Sequence, residues 1–312
     1  MRFSIDPWDV DYGSSADRLG VEPSTAAVVV DLERAEHAWS PIAPPPSRAD
    51  GAVLFVDGVR RIDAHIWIDD ADGETHPGLC ATFAAGAVRC ERRAEVVEAR
   101  VERGMFSAAP GASDVTTRLG AYPARMAAGS DPEQLMLAVH ERMTRVEVAI
   151  AEAAASNNDV DLIVIDGPLR GRQHLPRTVG FIKSHAVRYL PDDLHRLVAR
   201  LAPGERTPVF TIGSDWSRHA WYLRLPTVDT AHWAGIVRCE CSADLTPEAA
   251  VAVATDTAAR LGRFASEPHK DTRAPQNLVP IGGLERELRR RLGDQQLLYR
   301  ALREAAAGAR GG

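Results

Sequence analysis

Two runs in this chain place an aspartate and a glycine behind four apolar residues: Val53-Leu54-Phe55-Val56 before Asp57-Gly58, and Leu162-Ile163-Val164-Ile165 before Asp166-Gly167. A carboxylate at the end of a buried strand is either a turn signal or a metal ligand, because Asp-Gly is among the commonest turn dipeptides. Either pair alone reads as a turn. Two of them, on strands far apart in the chain, predict two carboxylates at a sheet edge, with glycine letting the backbone turn away. A set of Asp and Glu without nearby His or Cys suits a hard cation, Mg²⁺ or Mn²⁺, over zinc. Such an ion makes water nucleophilic near neutral pH and offsets charge on a scissile phosphate, which is the chemistry of phosphodiester hydrolysis.

A third carboxylate is available on the helical stretch before Asp166, where Glu141, Glu147 and Glu152 compete. At about 100° per residue, Leu135, Val139, Met143, Val146 and Ile150 fall within roughly 80° of one another, and that arc must face the sheet. Glu147 lies some 40° beyond the arc's edge. Glu141 and Glu152 point the other way, toward solvent. Glu147 is therefore the expected partner of Asp57 and Asp166.

Between Gly167 and Pro191 there is no Asp or Glu, whereas Arg170, Arg172, Arg177, Lys183 and Arg188 all fall there, with His174 and His185 among them. The stretch is either a solvated loop or a track for a nucleic-acid backbone leading to Asp166. Lys183 would then hold a phosphate oxygen as a point charge. Trp216, Trp221, Tyr222 and Trp233 sit in strand patterns, where burial is the ordinary fate of aromatic residues and base stacking the alternative.

The elements that must position these groups follow from periodicity. Residues 1–45 read as an N-terminal arm or edge element with one strand, ending at a Pro-rich connector that cannot be helical. From Ala52 to about Met105 successive strand patterns without helices predict an antiparallel meander. Ser130 and Glu133 make a capping box that opens the long amphipathic helix, which runs into the buried strand ending at Asp166. Alternating strands and helices follow, then a helical C-terminus over 286–312 with a disordered "GARGG" tail. The expected fold class is mixed α/β, a mixed sheet with a meander, flanked by helices.

Composition excludes several classes. The chain is 312 residues long, 45% apolar and 26% charged, with net charge −6, so it does not coat nucleic acid over its whole surface. No apolar run reaches the roughly 18 to 20 residues of a membrane span, and "MRFSIDPWDV" has neither a basic n-region nor an apolar h-region, which predicts a cytoplasmic protein. Cys80, Cys90, Cys239 and Cys241 lack zinc-site spacing and read as small buried residues. There is no G-x-S-x-G elbow, no P-loop and no G-x-G-x-x-G.

In order and context, "FVDG" on an early strand, a helical glutamate, "IVIDGPL" on the next strand and then "VGFIK" resemble the NurA nuclease family over roughly residues 50–285. The resemblance implies an RNase H-like core over 46–285 and a Mn²⁺- or Mg²⁺-dependent DNA nuclease, acting as an exonuclease at DNA ends in repair or defence. It matches Asp57 to the family's first acidic residue, Asp166 to the aspartate of its DGxL motif, Glu147 to the helical glutamate and Lys183 to the lysine. For the C-terminal ligand His269 and Asp271 compete, and their spacing departs from the family pattern. The family also implies a homodimer working with a HerA-type hexameric translocase. The rival reading is a catalytically silent RNase H-like scaffold that binds nucleic acid or a partner protein.

Overall fold

The structure, a computed structural model, describes residues 22–44, 50–70, 72–157, 159–185, 187–227 and 233–309. The expected arm at 1–45 falls only partly within them, and most of the "GARGG" tail lies outside. Strands β1 (Glu22–Pro23) and β2 (Ala27–Val29) come first, then the long strands β3 (Val53–Asp69), β4 (Thr75–Cys90) and β5 (Ala94–Ser107). Short strands β6 (Val115–Thr117), β7 (Gly120–Tyr122) and β8 (Ala124–Met126) precede helix α1 (Pro132–Asn157), which leads into β9 (Leu162–Asp166). Beyond it lie β10 (Thr178–Ile182), β11 (Val187–Arg188), α2 (Asp192–Val198), β12 (Phe210–Gly213), β13 (Ser217–Arg224) and β14 (Ile236–Ser242). Helices α3 (Pro247–Leu261), α4 (Val279–Arg291) and α5 (Gln295–Ala309) end the described chain.

The class is mixed α/β, with ten strands entering a mixed sheet. The order of elements runs from three long strands through the short strands β6–β8 to a long helix and a short buried strand. Tight turns make the meander: Asp70 N donates to Glu74 O, and Glu91 N to Arg93 O.

The chain divides into two compact units. The first comprises 1–55, 89–94 and 159–282, the second 56–88, 95–158 and 283–312. In the first, β2, β12, β13, β14, β10, β9 and the start of β3 are neighbours in that order, with β9 and β10 parallel and β10 and β14 antiparallel. Its core sets Leu194 and Val198 of α2 against Phe210, Ile212, Ala220, Tyr222 and Ile236.

In the second unit β3, β4, β5 and β8 are neighbours in turn. The helical stripe Leu135, Val139, Met143, Val146 and Ile150 is buried throughout, as periodicity requires, and each such side chain contributes roughly 1.5–3 kcal/mol. Glu141 and Glu152 are exposed, so the register of α1 is the expected one. Its cap is one residue later than the capping box predicts. Asp131 Oδ1 accepts from Gln134 N at 2.9 Å, because Pro132 takes the first helical position and has no N–H to offer.

A larger correction concerns β3. It runs unbroken for 17 residues through Asp57 and Gly58, so no turn follows Asp57. Gly58 has no positive φ, and its lack of a side chain answers to packing.

Candidate metal centre

In the second unit, Asp57 is buried within β3 and its Oδ1 accepts from Gly58 N at 2.7 Å. Glu147, buried on α1, lies against Gly58: a β-carbon there would stand 2.3 Å from Glu147 Oε1. The bare glycine thus leaves room for a carboxylate one residue from Asp57.

From α4 comes a residue that sequence reasoning missed. Carboxylate oxygens of Asp57 and Glu285 lie within 4.8 Å of each other. Leu284, Leu288 and Leu292 bury one side of α4, and Glu285 falls about 20° beyond that arc. Like charges at this separation repel, and a cation between them relieves the repulsion. The donors are hard oxygens without cysteine or histidine, a set that fits Mg²⁺ or Mn²⁺. The other acidic group of this unit, Asp70, Glu74 and His76, closes the β3–β4 turn, with Asp70 Oδ1 accepting from Asp72 N and Glu74 N and Oδ2 bonded to His76 Nε2.

In the first unit β9 does end at Asp166, and Gly167 makes the expected turn at φ +113°. Three bonds hold that turn. Gly167 N donates to Phe181 O at 2.9 Å, Leu169 N to Glu240 Oε1 at 2.6 Å, and Arg172 Nη1 to Pro168 O at 2.8 Å. Glu240 is fully buried on β14, with Arg218 Nε 3.2 Å from its other oxygen.

Lys183 sits just past β10 and is buried. Its Nζ donates to Asp166 Oδ2 at 2.5 Å and to Asn277 Oδ1 at 3.0 Å. Asn277 Nδ2 in turn donates to Asp271 Oδ2 at 2.7 Å, which fixes the amide so that its oxygen faces the lysine. Of the two C-terminal candidates, Asp271 is thus joined to Lys183 through Asn277. His269 is exposed, with Nε2 3.3 Å from Glu267 Oε2.

The basic stretch separates into two kinds of residue. Arg170 and Arg177 are exposed, Arg177 with φ 51°, and Arg188 is half-buried beside Asp192 at 2.7 Å. Arg172 is buried and turned onto the loop's own carbonyl, not toward solvent. Trp221 and Tyr222 belong to the core, as strand aromatics usually do, and Trp216 lies under the Arg218 guanidinium, 4.6 Å from its ring centroid. All four thiols are buried, and burial pushes Cys80 and Cys241 up to about 12 and Cys90 up to about 11.

No helix among the described residues is long and apolar enough to cross a membrane. No curated protein matches the chain. A family model described as the NurA domain matches residues 78–281, more than half of the chain. The matched stretch holds Glu147, Asp166, Lys183, His269 and Asp271, while Asp57 and Glu285 stand outside it. With acidic, carboxylate-bearing elements in both units and this match across most of them, the chain belongs to the NurA family, a family of nucleases.

Proposed function

We propose that the protein is a divalent-metal-dependent deoxyribonuclease that acts at DNA ends. The observation that carries this reading is the approach of Asp57 and Glu285 to within 4.8 Å in a family of nucleases. In the second unit Asp57 and Glu285, with Glu147 against Gly58, would hold Mn²⁺ or Mg²⁺. When bound, the ion lowers the pKa of a water and offsets charge on the phosphate.

The chain's own residues do the rest. Lys183 orients Asp166, and its ammonium is a charge for a phosphate oxygen. Asn277 and Asp271 hold Lys183 in place, which makes Asp271 a positioning residue, with His269 the remaining candidate for an added ligand. Arg170, Arg177 and Arg188 would take backbone phosphates, which position a strand without reading its sequence. By family, the working form would be a homodimer fed by a HerA-type translocase, in repair or defence.

Digestion of end-labelled single- and double-stranded DNA with Mn²⁺, Mg²⁺ or EDTA tests the reading. Cleavage with either metal and none in EDTA is expected. Intact label under all conditions would instead favour a silent scaffold.

A further inference from the structure

Helix α4 carries Arg286, Arg289, Arg290 and Arg291 within six residues, and all four are exposed. A run of this kind is ordinarily a solvated face, balanced by nearby acids. Here the balance is uneven. Arg290 Nη1 lies 3.2 Å from Glu287 Oε2, and Arg291 Nε lies 2.9 Å from Glu287 Oε1, so one glutamate serves both. Arg286 and Arg289 have no ion pair among the described residues.

Position on the helix separates the two pairs further. Taking Glu285 as zero, Arg289 lies about 40° and Arg286 about 100° around the exposed side, with Arg290 at about 140° and Arg291 at about 240°. The arginines without partners are the two nearest Glu285. A glutamate four residues before an arginine is the favourable spacing for a helical ion pair, yet Glu285 turns to Asp57 and Arg289 stays exposed. Gly283, at the start of this part of α4, leaves open space where a side chain would stand.

We propose that the Arg286–Arg289 flank of α4 is a phosphate-binding track that brings a DNA strand to Glu285. The inference rests on the nuclease reading and deepens it. Two cations without partners, in continuity with a metal-binding carboxylate, complement a polyanion whose scissile phosphate must reach that carboxylate. Phosphate contacts of this kind are sequence-independent and salt-dependent.

The test compares Arg286→Gln/Arg289→Gln with Arg290→Gln/Arg291→Gln in the full chain, measuring binding of a fluorescent DNA oligonucleotide in EDTA across a salt series. For the first variant the slope of log K against log salt should fall by about 1.4 to 1.8, two contacts at about 0.7 to 0.9 each, with weaker binding at low salt. The second should keep the wild-type slope, since its arginines already face Glu287. An unchanged slope in the first variant, or an equal drop in both, overturns the track. Cleavage by the wild type is scored separately: wild-type protein that binds DNA but does not cleave it with metal refutes the nuclease reading and leaves the track standing, whereas no wild-type binding refutes both.

Discussion

The carboxylate of Glu147 occupies the space in which Gly58 would carry a side chain, 2.3 Å from the position of its missing β-carbon. The glycine is required by a neighbour and not by its own backbone. Gly58→Ala should therefore displace a carboxylate next to Asp57, lowering metal-dependent cleavage and costing about 1 to 3 kcal/mol, as overpacking does. Urea denaturation of Gly58→Ala, Glu147→Ala and the double variant checks it: alanine at 58 should cost clearly less once Glu147 is gone. Equal cost in both backgrounds would place the clash elsewhere.

Asp57 and Glu285 should respond to metal as a pair. The wild type should gain thermal stability on adding Mn²⁺, by about 2.7 kcal/mol at a hundred times the dissociation constant. Asp57→Asn and Glu285→Gln should each remove most of that gain and abolish cleavage. A Glu285→Gln protein with an undiminished Mn²⁺ response would exclude it from the centre.

Lys183 and Asp166 form an ion pair whose side chains are 7% and 13% exposed. Removing one partner of such a pair leaves a buried charge, at about 3 to 5 kcal/mol. Lys183→Met is expected to lose stability in that range together with activity. Asn277→Leu should lose less, since the Asp166 contact survives, with a lower kcat as its main symptom. Chemical denaturation alongside single-turnover kinetics separates the two variants.

His185 supplies a pH dependence. Desolvation holds its pKa down at about 4, against an ordinary 6.5, and nearby Arg238 and His195 push the same way, while its bond to Ile236 O opposes them. Below pH 6.5 the unfolded chain takes up a proton that the folded chain refuses until about pH 4. Stability contributed by the neutral ring is complete above that window and declines through it as pH falls, by up to about 1.4 kcal/mol per pH unit. Guanidinium titrations at pH 7 and pH 5 should give a smaller difference for His185→Phe than for the wild type.

The Asp166 end of β9 was more legible in the sequence than the surroundings of Asp57. A short apolar run with Asp-Gly behind it does end β9, and the positive φ at Gly167 is what that dipeptide signals. The run of the same pattern before Asp57 continues as strand, because long-range packing against Glu147 sets the need for glycine and a local turn rule cannot see it. Helical periodicity identified Glu147 as a border residue on α1. The same wheel drawn over α4 would have marked Glu285 and Arg289, but a C-terminal helix rich in Arg and Glu looks like a solvated surface. Asp271 could not be separated from His269 by spacing, since the distinction rests on Asn277, six residues on in the chain and bonded to both Lys183 and Asp271.

The two Asp-Gly pairs also differ in chirality. Nothing lies within 4 Å of a β-carbon built on Gly167, so L-alanine there is disfavoured only by its handedness at φ +113°. A D-alanine introduced by chemical ligation would find that torsion congenial. At Gly58 an L-alanine meets no torsional objection and still has no room. Mirror-image substitution thus distinguishes a glycine kept for its symmetry from one kept for its size.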